Sequence, residues 1–430
     1  MSRKKGAALA VVIAAAAAII AMALYQNNVA RIPDTNRTAP LPPPGGGTNG
    51  TGGAGPQVSK TPVSVLSSPS AMPFMEKWVA QYNSEKNLGS VNVNYSDRAD
   101  DASIPILYPN FTAFLADHSA DIAIAGRPVA EKGNFTYAGS VFLPVSPQAV
   151  AVVYNVPGLP DVPSGLKFDP ATLYSVLSGN ATYWDDPGIK SLNPGTSLPH
   201  QQIVVVHEGP AGSASDMLER YLASVSNSNG TIAWPKSSLV ADSANRLSAM
   251  VRQTPYSIGY IDFAFAVQTR MTYASLQNSD GQYFMPSADS IGSAVRNGTK
   301  VDPALINGTG SGNPSLATPP TISVGQLGNG SYPVVGFYYA AFSDRAINNS
   351  TNETALAGSS SSSSSKDAAV IDLVRWIAGS EGQRILQDMQ YPSVYVQNKD
   401  LGAFADRVLG TKAGLLAKEQ ALNGSSISGA

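Results

Sequence analysis

The sequence predicts an α/β fold with mainly parallel sheets. Three observations lead there. Short apolar β runs alternate with segments of helical spacing along the whole body of the chain. The longest such run, Ala149–Asn155 (AVAVVYN), is continuously apolar and is broken by Pro157, Pro160 and Pro163. Met72, Met75, Trp78, Val79 and Tyr82 recur with the period of an amphipathic helix.

The elements follow in order. Val63–Leu66 is a short strand, and Ser67-Ser68-Pro69-Ser70 turns it into a helix over Ala71–Asn83. Val91–Tyr95 alternates as a strand, Phe111–Asp117 reads as a short helix, and Ala120–Ala125 (ADIAIA) is another apolar strand. After the Ala149–Asn155 run, Asp169–Ser178 is amphipathic, Ile203–His207 is a strand and Ala214–Ser224 a helix. Ser257–Ala264 (SIGYIDFA) follows, and Tyr332–Phe342 would be a returning strand. Residues 347–365 form a low-complexity segment ending in seven serines, expected to be a disordered or glycan-covered loop. Asp367–Met389 reads as one long helix and Leu401–Leu422 as a closing helix.

Composition narrows the function. At 430 residues there is room for two domains and appendages. Net charge is −2 and only 13% of residues are charged, about half the ~25% of ordinary soluble domains. Such a chain has no basic field for DNA or RNA, so nucleic-acid partners are not expected. It contains no Cys, which excludes disulfides, Fe–S clusters, thiolate zinc and Cys nucleophiles. His118, His200 and His207 are its only histidines, too few for a metal cage without carboxylate help. No G-x-S-x-G, H-E-x-x-H or P-loop is present. His207 and Glu208 are neighbours on a strand and face opposite ways. No enzyme, cofactor or metal is therefore expected.

Residues 1–26 read as a signal and membrane anchor. Ser2-Arg3-Lys4-Lys5 precede an uninterrupted apolar run, Ala7–Leu24, of membrane-spanning length. Basic residues ahead of that run place the rest of the chain outside the cell. Lys5-Gly6 resembles the cleavage site of archaeal pilin-like signal peptides, and cleavage there would leave the apolar helix attached; an ordinary cleaved secretory signal is the alternative. Residues 27–60 form a stalk, with Arg37–Gln57 rich in Pro, Gly and Thr. Fourteen Asn-x-Ser/Thr acceptors recur, at Asn36, Asn49, Asn94, Asn110, Asn134, Asn180, Asn229, Asn297, Asn307, Asn329, Asn348, Asn349, Asn352 and Asn423. Their density, with a leader and no Cys, points to an N-glycosylated surface protein of archaeal type, tethered to the membrane through its N-terminal helix.

Two stretches carry a family resemblance. Trp184-Asp185-Asp186-Pro187, Asn193-Pro194-Gly195, Leu198-Pro199, then a strand and a Gly/Ser turn into a helix, form the first. Ser257–Ala264 is the second, preceded by Val251–Pro255 and followed by Tyr273–Asn278. Together they resemble the phosphate-binding proteins of ABC importers, the PstS type. The resemblance spans about residues 63–422. It implies a two-lobed periplasmic-binding-protein fold of type II with a ligand cleft between the lobes. One lobe comprises residues 61–150 and 326–422, the other residues 151–325, leaving a short tail at 423–430. It further implies a small-molecule ligand, phosphate or another small oxyanion, and an ABC permease as partner. The alternative is a divergent paralogue with a non-phosphate ligand or a structural role at the cell surface.

Four loops would line that cleft. Ser68 and Ser70 stand where the family offers hydroxyls and backbone amides, although the same serines serve equally as helix caps. In Ser96–Ser103, Asp100 falls at the place of a phosphate-contacting Ser. Gly126 replaces the Asp that in the family accepts the proton of monobasic phosphate, and Arg127 follows it as a new cation. In the last loop Glu208 takes the slot of the ion-pairing Arg, while Gly212 and Ala214 replace hydroxyl residues; Ser213 and Ser215 remain as donors beside the Gly212-Ser213 amides. The frame is kept and the anion-gripping chemistry altered, so tight phosphate binding by the family's usual means is not expected.

Overall fold

Strand β1 (Thr61–Ser67) buries Val63 and Val65 and stops at Ser68, whose Oγ accepts the Ser70 N–H and opens a short 3-10 turn (Pro69–Ala71). Pro73 in the first turn pre-sets the backbone of helix α1 (Met72–Ser84), which presents Phe74, Met75, Trp78 and Tyr82 to the core. The computed structural model describes residues 61–85, 89–95, 115–116, 119–126, 139–159, 165–209, 213–223, 231–303, 306, 319–347 and 362–411, all within one compact unit, Ser59–Ala430.

Strands β2 (Gly89–Tyr95) and β3 (Ile122–Ala125) pair parallel with β1 on either side. Then comes β4 (Ser140–Asn155), sixteen residues long and buried along all but the last. The sequence shows only its second half because Pro144 and Pro147 interrupt the first. Both prolines are accommodated where Val145 bulges out of register, between the Pro144–Tyr339 and Ser146–Tyr338 pairs.

The middle of the chain runs through β5 (Lys167–Phe168), α2 (Pro170–Leu177), α3 (Pro187–Leu192), β6 (Val204–Glu208), α4 (Ser213–Leu222), β7 (Leu239–Ala241) and α5 (Ala244–Gln253). It continues with β8 (Ser257–Asp262), α6 (Phe263–Gln268), β9 (Ser275–Gln277), β10 (Tyr283–Phe284), α7 (Ala288–Gly298), β11 (Thr299–Lys300) and β12 (Thr321–Ile322). Strand β13 (Val335–Ser343) returns to the first strands, followed by α8 (Ser362–Ala378), α9 (Ser380–Gln387), α10 (Val394–Gln397) and α11 (Lys399–Leu409). Helix starts are marked chemically: Asp169, Asp186, Ser243, Asp262, Ser287 and Asn398 each accept a first-turn N–H through the side chain.

The main sheet has eight strands in the order β2-β1-β3-β13-β4-β8-β6-β7. It is parallel on both flanks and antiparallel through the middle, where β13 pairs with β3 and β4, and β4 with β8. Residues 140–149 of β4 pair with β13 and residues 150–155 with β8, so one strand serves both halves.

The two family-like stretches meet in this fold. Trp184 is fully buried and donates its indole N–H to the Tyr256 carbonyl at 2.9 Å, just ahead of β8. Asp186 caps α3 with Pro187 in its first turn, and the Asn193 side chain clamps the Lys167 N–H and C=O at 2.8 and 3.0 Å. These residues are scaffold.

Several boundaries differ from expectation. The segment 367–389 is two helices, divided at Gly379, whose extended ψ of −178° ends the helical run. The closing helix stops at Leu409, because Gly410 takes a left-handed φ of 64° and its N–H returns to Arg407 and Asp406. The last four serines of the low-complexity loop, Ser362–Ser365, belong to α8. Apart from residues 115–116, the helix expected at 111–117 lies outside the described residues. So do residues 1–60, with the anchor and stalk, and the closing stretch after residue 411. Among the described residues no helix is long and apolar enough to cross a membrane.

Candidate functional site

The carboxyl ends of parallel strands are where an open α/β sheet leaves a crevice, since the chain turns away there to either face. Three of the four loops singled out in the sequence leave from such ends. Strand β1 delivers Ser68 and Ser70, β3 delivers Gly126, and β6 delivers Glu208 ahead of the start of α4. The β1–β3 register pairs Ser67 with Ile124, and Ser68 donates its N–H to the Ile124 carbonyl at 2.9 Å, so the first and third loops are neighbours.

The third and fourth loops meet through Gln148, midway along β4. A Cβ built on Gly126 would lie 2.5 Å from Gln148 Oε1, 2.8 Å from its Nε2 and 2.8 Å from Ser213 Oγ. Gln148 Nε2 donates to Ser213 Oγ at 2.8 Å and to the Tyr338 hydroxyl at 3.2 Å. The Tyr338 hydroxyl donates in turn to Asp262 Oδ2 at 2.9 Å. Asp262 Oδ1 accepts from Tyr391 at 3.1 Å and from the Ala264 N–H at 2.9 Å. A polar chain, Ser213–Gln148–Tyr338–Asp262–Tyr391, thus threads α4, β4, β13, β8 and the turn after α9. Every member of it is buried.

Burial sets the electrostatics. Asp262 is held at about 7, far above the usual carboxylate range, because it is wholly buried; the hydrogen bonds from Ala264, Tyr338 and Tyr391 only partly offset that. Glu208 is 4% exposed. The Tyr260 hydroxyl is driven well up, first by burial and then by the Glu208 charge, and it shares a proton with Ser215 Oγ over 2.7 Å. His207 is shifted down by burial, which keeps it neutral. Its ring stacks on Trp234 at 4.2 Å and its Nδ1 donates to the Glu208 carbonyl at 2.7 Å. Among the described residues no group of His, Asp and Glu could hold a metal ion.

The structure therefore joins Ser68, Ser70, Gly126 and Ser213 in one neighbourhood, and links Ser215 and Glu208 through Tyr260. Ala214 is buried in the first turn of α4. Asp100, Arg127 and Gly212 lie outside the described residues. Sequence reasoning missed Gln148, Tyr260, Asp262, Tyr338 and Tyr391. The signal for Gln148 was present, as an amide directly before the apolar run Ala149–Tyr154 of a buried strand. Asp262 was in view within the SIGYIDFA stretch, but its tyrosine partners are 76 and 129 residues away.

Chemically, the described neighbourhood offers hydroxyls, a carboxamide and a helix start, with two buried acids behind them. Such a set has the chemistry to hold a small polar solute by hydrogen bonds.

Comparison with known proteins agrees with this architecture. A family model described as a PBP superfamily domain matches residues 46–357. The chain belongs to that superfamily of two-lobed binding proteins. The phosphate-binding protein PstS of Methanocaldococcus jannaschii is 30% identical over 202 residues, 44% of this chain and 50% of that protein. The PstS of Xylella fastidiosa is 28% identical over 234 residues, 52% of this chain and 60% of that one. The chain thus spans 50 to 60% of the length of these curated relatives. Among solved structures, the phosphate-binding protein of Stenotrophomonas maltophilia superposes with a TM-score of 0.55 at 14% identity, covering 82% of this chain and 94% of that one. At that identity the likeness is one of fold.

Proposed function

We propose that this chain is an extracellular solute-binding protein that captures a small oxyanion, phosphate by kinship with its relatives, and passes it to an ABC permease. The observation that carries this reading is the meeting of Gly126 and Ser213 at Gln148, with Ser68 tied to Ile124 two residues before Gly126, so that neutral polar groups from separate loops converge. The two lobes are residues 61–150 with 326–422, and residues 151–325. The change of β4 partner between Ala149 and Val150 supports the first of these boundaries. The N-terminal apolar run tethers the protein to the membrane. Asn180, Asn297 and Asn329, the acceptor asparagines with described side chains, are all exposed and suit glycosylation.

The test is a thermal-shift screen of the full chain in detergent against phosphate, sulfate, molybdate, divalent metals and sugars. A ligand at about 100 times its dissociation constant adds ~2.7 kcal/mol of stability. Stabilisation by one or more of the oxyanions is expected. Stabilisation by metals or sugars alone would overturn the reading.

A further inference from the structure

Ser331 is fully buried, and its Oγ has no hydrogen-bond partner among the described residues. It ends the turn Gly328-Asn329-Gly330-Ser331, closed by the Ser331 N–H on the Gly328 carbonyl at 3.0 Å. Asn329 and Gly330 take φ of 50° and 75°, the positive pair of a type I′ turn, for which Asn-Gly is a preferred sequence. The Asn329 N–H is held further by Asp280 Oδ2 at 2.6 Å. The turn thus accounts for Asn329 and Gly330 and leaves the Ser331 hydroxyl without a structural task. Burying a hydroxyl costs free energy that an alanine in its place would not. Ser331 is the hydroxyl position of the acceptor triplet that begins at the exposed Asn329. The triplets at Asn180 and Asn297 differ. Asn180 and Thr182 are both exposed, and Thr299 donates its hydroxyl to the Val295 carbonyl at 2.6 Å.

We propose that Asn329 receives its glycan before the chain folds around it, and that Ser331 serves the transferring enzyme rather than the fold. This rests on the glycosylation reading above and adds the order of events at one site. The enzyme reads the triplet through its hydroxyl residue. A hydroxyl with no exposed surface, at the end of a closed turn, is out of its reach once the turn has packed. In the transfer, Asn329 Nδ2 attacks the anomeric carbon of a lipid-phosphate-linked glycan. The N–C bond forms, the C–O bond to the phosphate breaks, the lipid phosphate leaves and Nδ2 gives up one proton. Asn329 is exposed, so the attached glycan is compatible with the folded turn. Asn180, whose triplet is exposed at both its Asn and its Thr, stays open to the enzyme after folding.

The experiment adds a solubilised oligosaccharyltransferase and its lipid-linked glycan donor to cell-free synthesis of the full chain in detergent, either from the start or after folding is complete. Mass spectrometry reads occupancy at Asn329 and Asn180. Asn180 should be modified in both arms. Asn329 should be modified when the enzyme is present from the start, and at least about tenfold less when it comes late, because a stable domain is open in a fraction of only about 10⁻³ or less. Ser331→Ala should lose the Asn329 glycan yet melt no lower than the native chain made without glycans. Equal occupancy of Asn329 in the two arms, or its absence from both while Asn180 is modified, overturns the inference. So does a Ser331→Ala chain that melts lower or fails to fold. Modification of neither site in either arm defeats the glycosylation reading as well.

Discussion

Gly126 and Gln148 occupy one another's space: a side chain on Gly126 would begin 2.5 Å from Gln148 Oε1. The resemblance places an acid of the PstS type at Gly126, and restoring it would require the Gln148 and Ser213 side chains to shift. Gly126→Asp should destabilise the chain by about 1–3 kcal/mol through overpacking. Combining it with Gln148→Gly should recover most of that loss. Midpoints of urea unfolding for the single and double variants check this; equal midpoints for Gly126→Asp and the native chain would show that Gln148 yields freely.

Much of the fold was legible because its signals are local. Periodicity located α1, α2 and α4, and the WDDP and SIGYIDFA stretches marked the scaffold that Trp184 ties to Tyr256. What failed to show depends on distant partners. The first half of β4 was hidden by Pro144 and Pro147, which a bulge opposite β13 tolerates. The site was half legible for the same reason. Its loops follow strand ends and can be named in sequence, but Gln148 gains its meaning only from Ser213 and Tyr338, 65 and 190 residues away.

Stability should depend on pH through Asp262. Its folded value, about 7, lies above the ~4 of an unfolded carboxyl. The native state therefore holds the proton that the unfolded state has released between those values, and stability falls as pH rises through that window. The slope can reach about 1.4 kcal/mol per pH unit. Asp262→Asn keeps an oxygen for the Ala264 N–H and should flatten the profile. Chemical unfolding of both proteins from about pH 4 to 8 decides it; parallel profiles would remove Asp262 as the cause.

Helix α9 packs its start against the end of α8. A Cβ on Gly382 would run into the Ile377 carbonyl oxygen, a backbone atom with little room to move. Gly382 also accepts the Trp78 indole N–H at 2.8 Å. Gly382→Ala should cost about 1–3 kcal/mol despite its higher helix propensity. A melting temperature at or above the native one would show that the two helices separate without penalty.

The Ala7–Leu24 run predicts that the protein behaves as an integral membrane protein. It should stay with membranes through a high-salt wash and leave them in detergent. Recovery from the medium, with mass spectrometry placing the N-terminus near Asn27, would show that the leader is removed.

The altered anion site is tested most directly by isothermal titration of the native chain with phosphate. Glu208 is buried, at the position where by resemblance the PstS type would carry an Arg, and the described donors are neutral. A micromolar site needs about 8 kcal/mol, and a carboxylate beside an anion removes several of them. The account predicts phosphate binding weaker than micromolar, strengthened when Asp100→Ser, Glu208→Arg, Gly212→Ser and Ala214→Thr are combined, Gly126→Asp being added only with Gln148→Gly. Native binding at or below micromolar would contradict it.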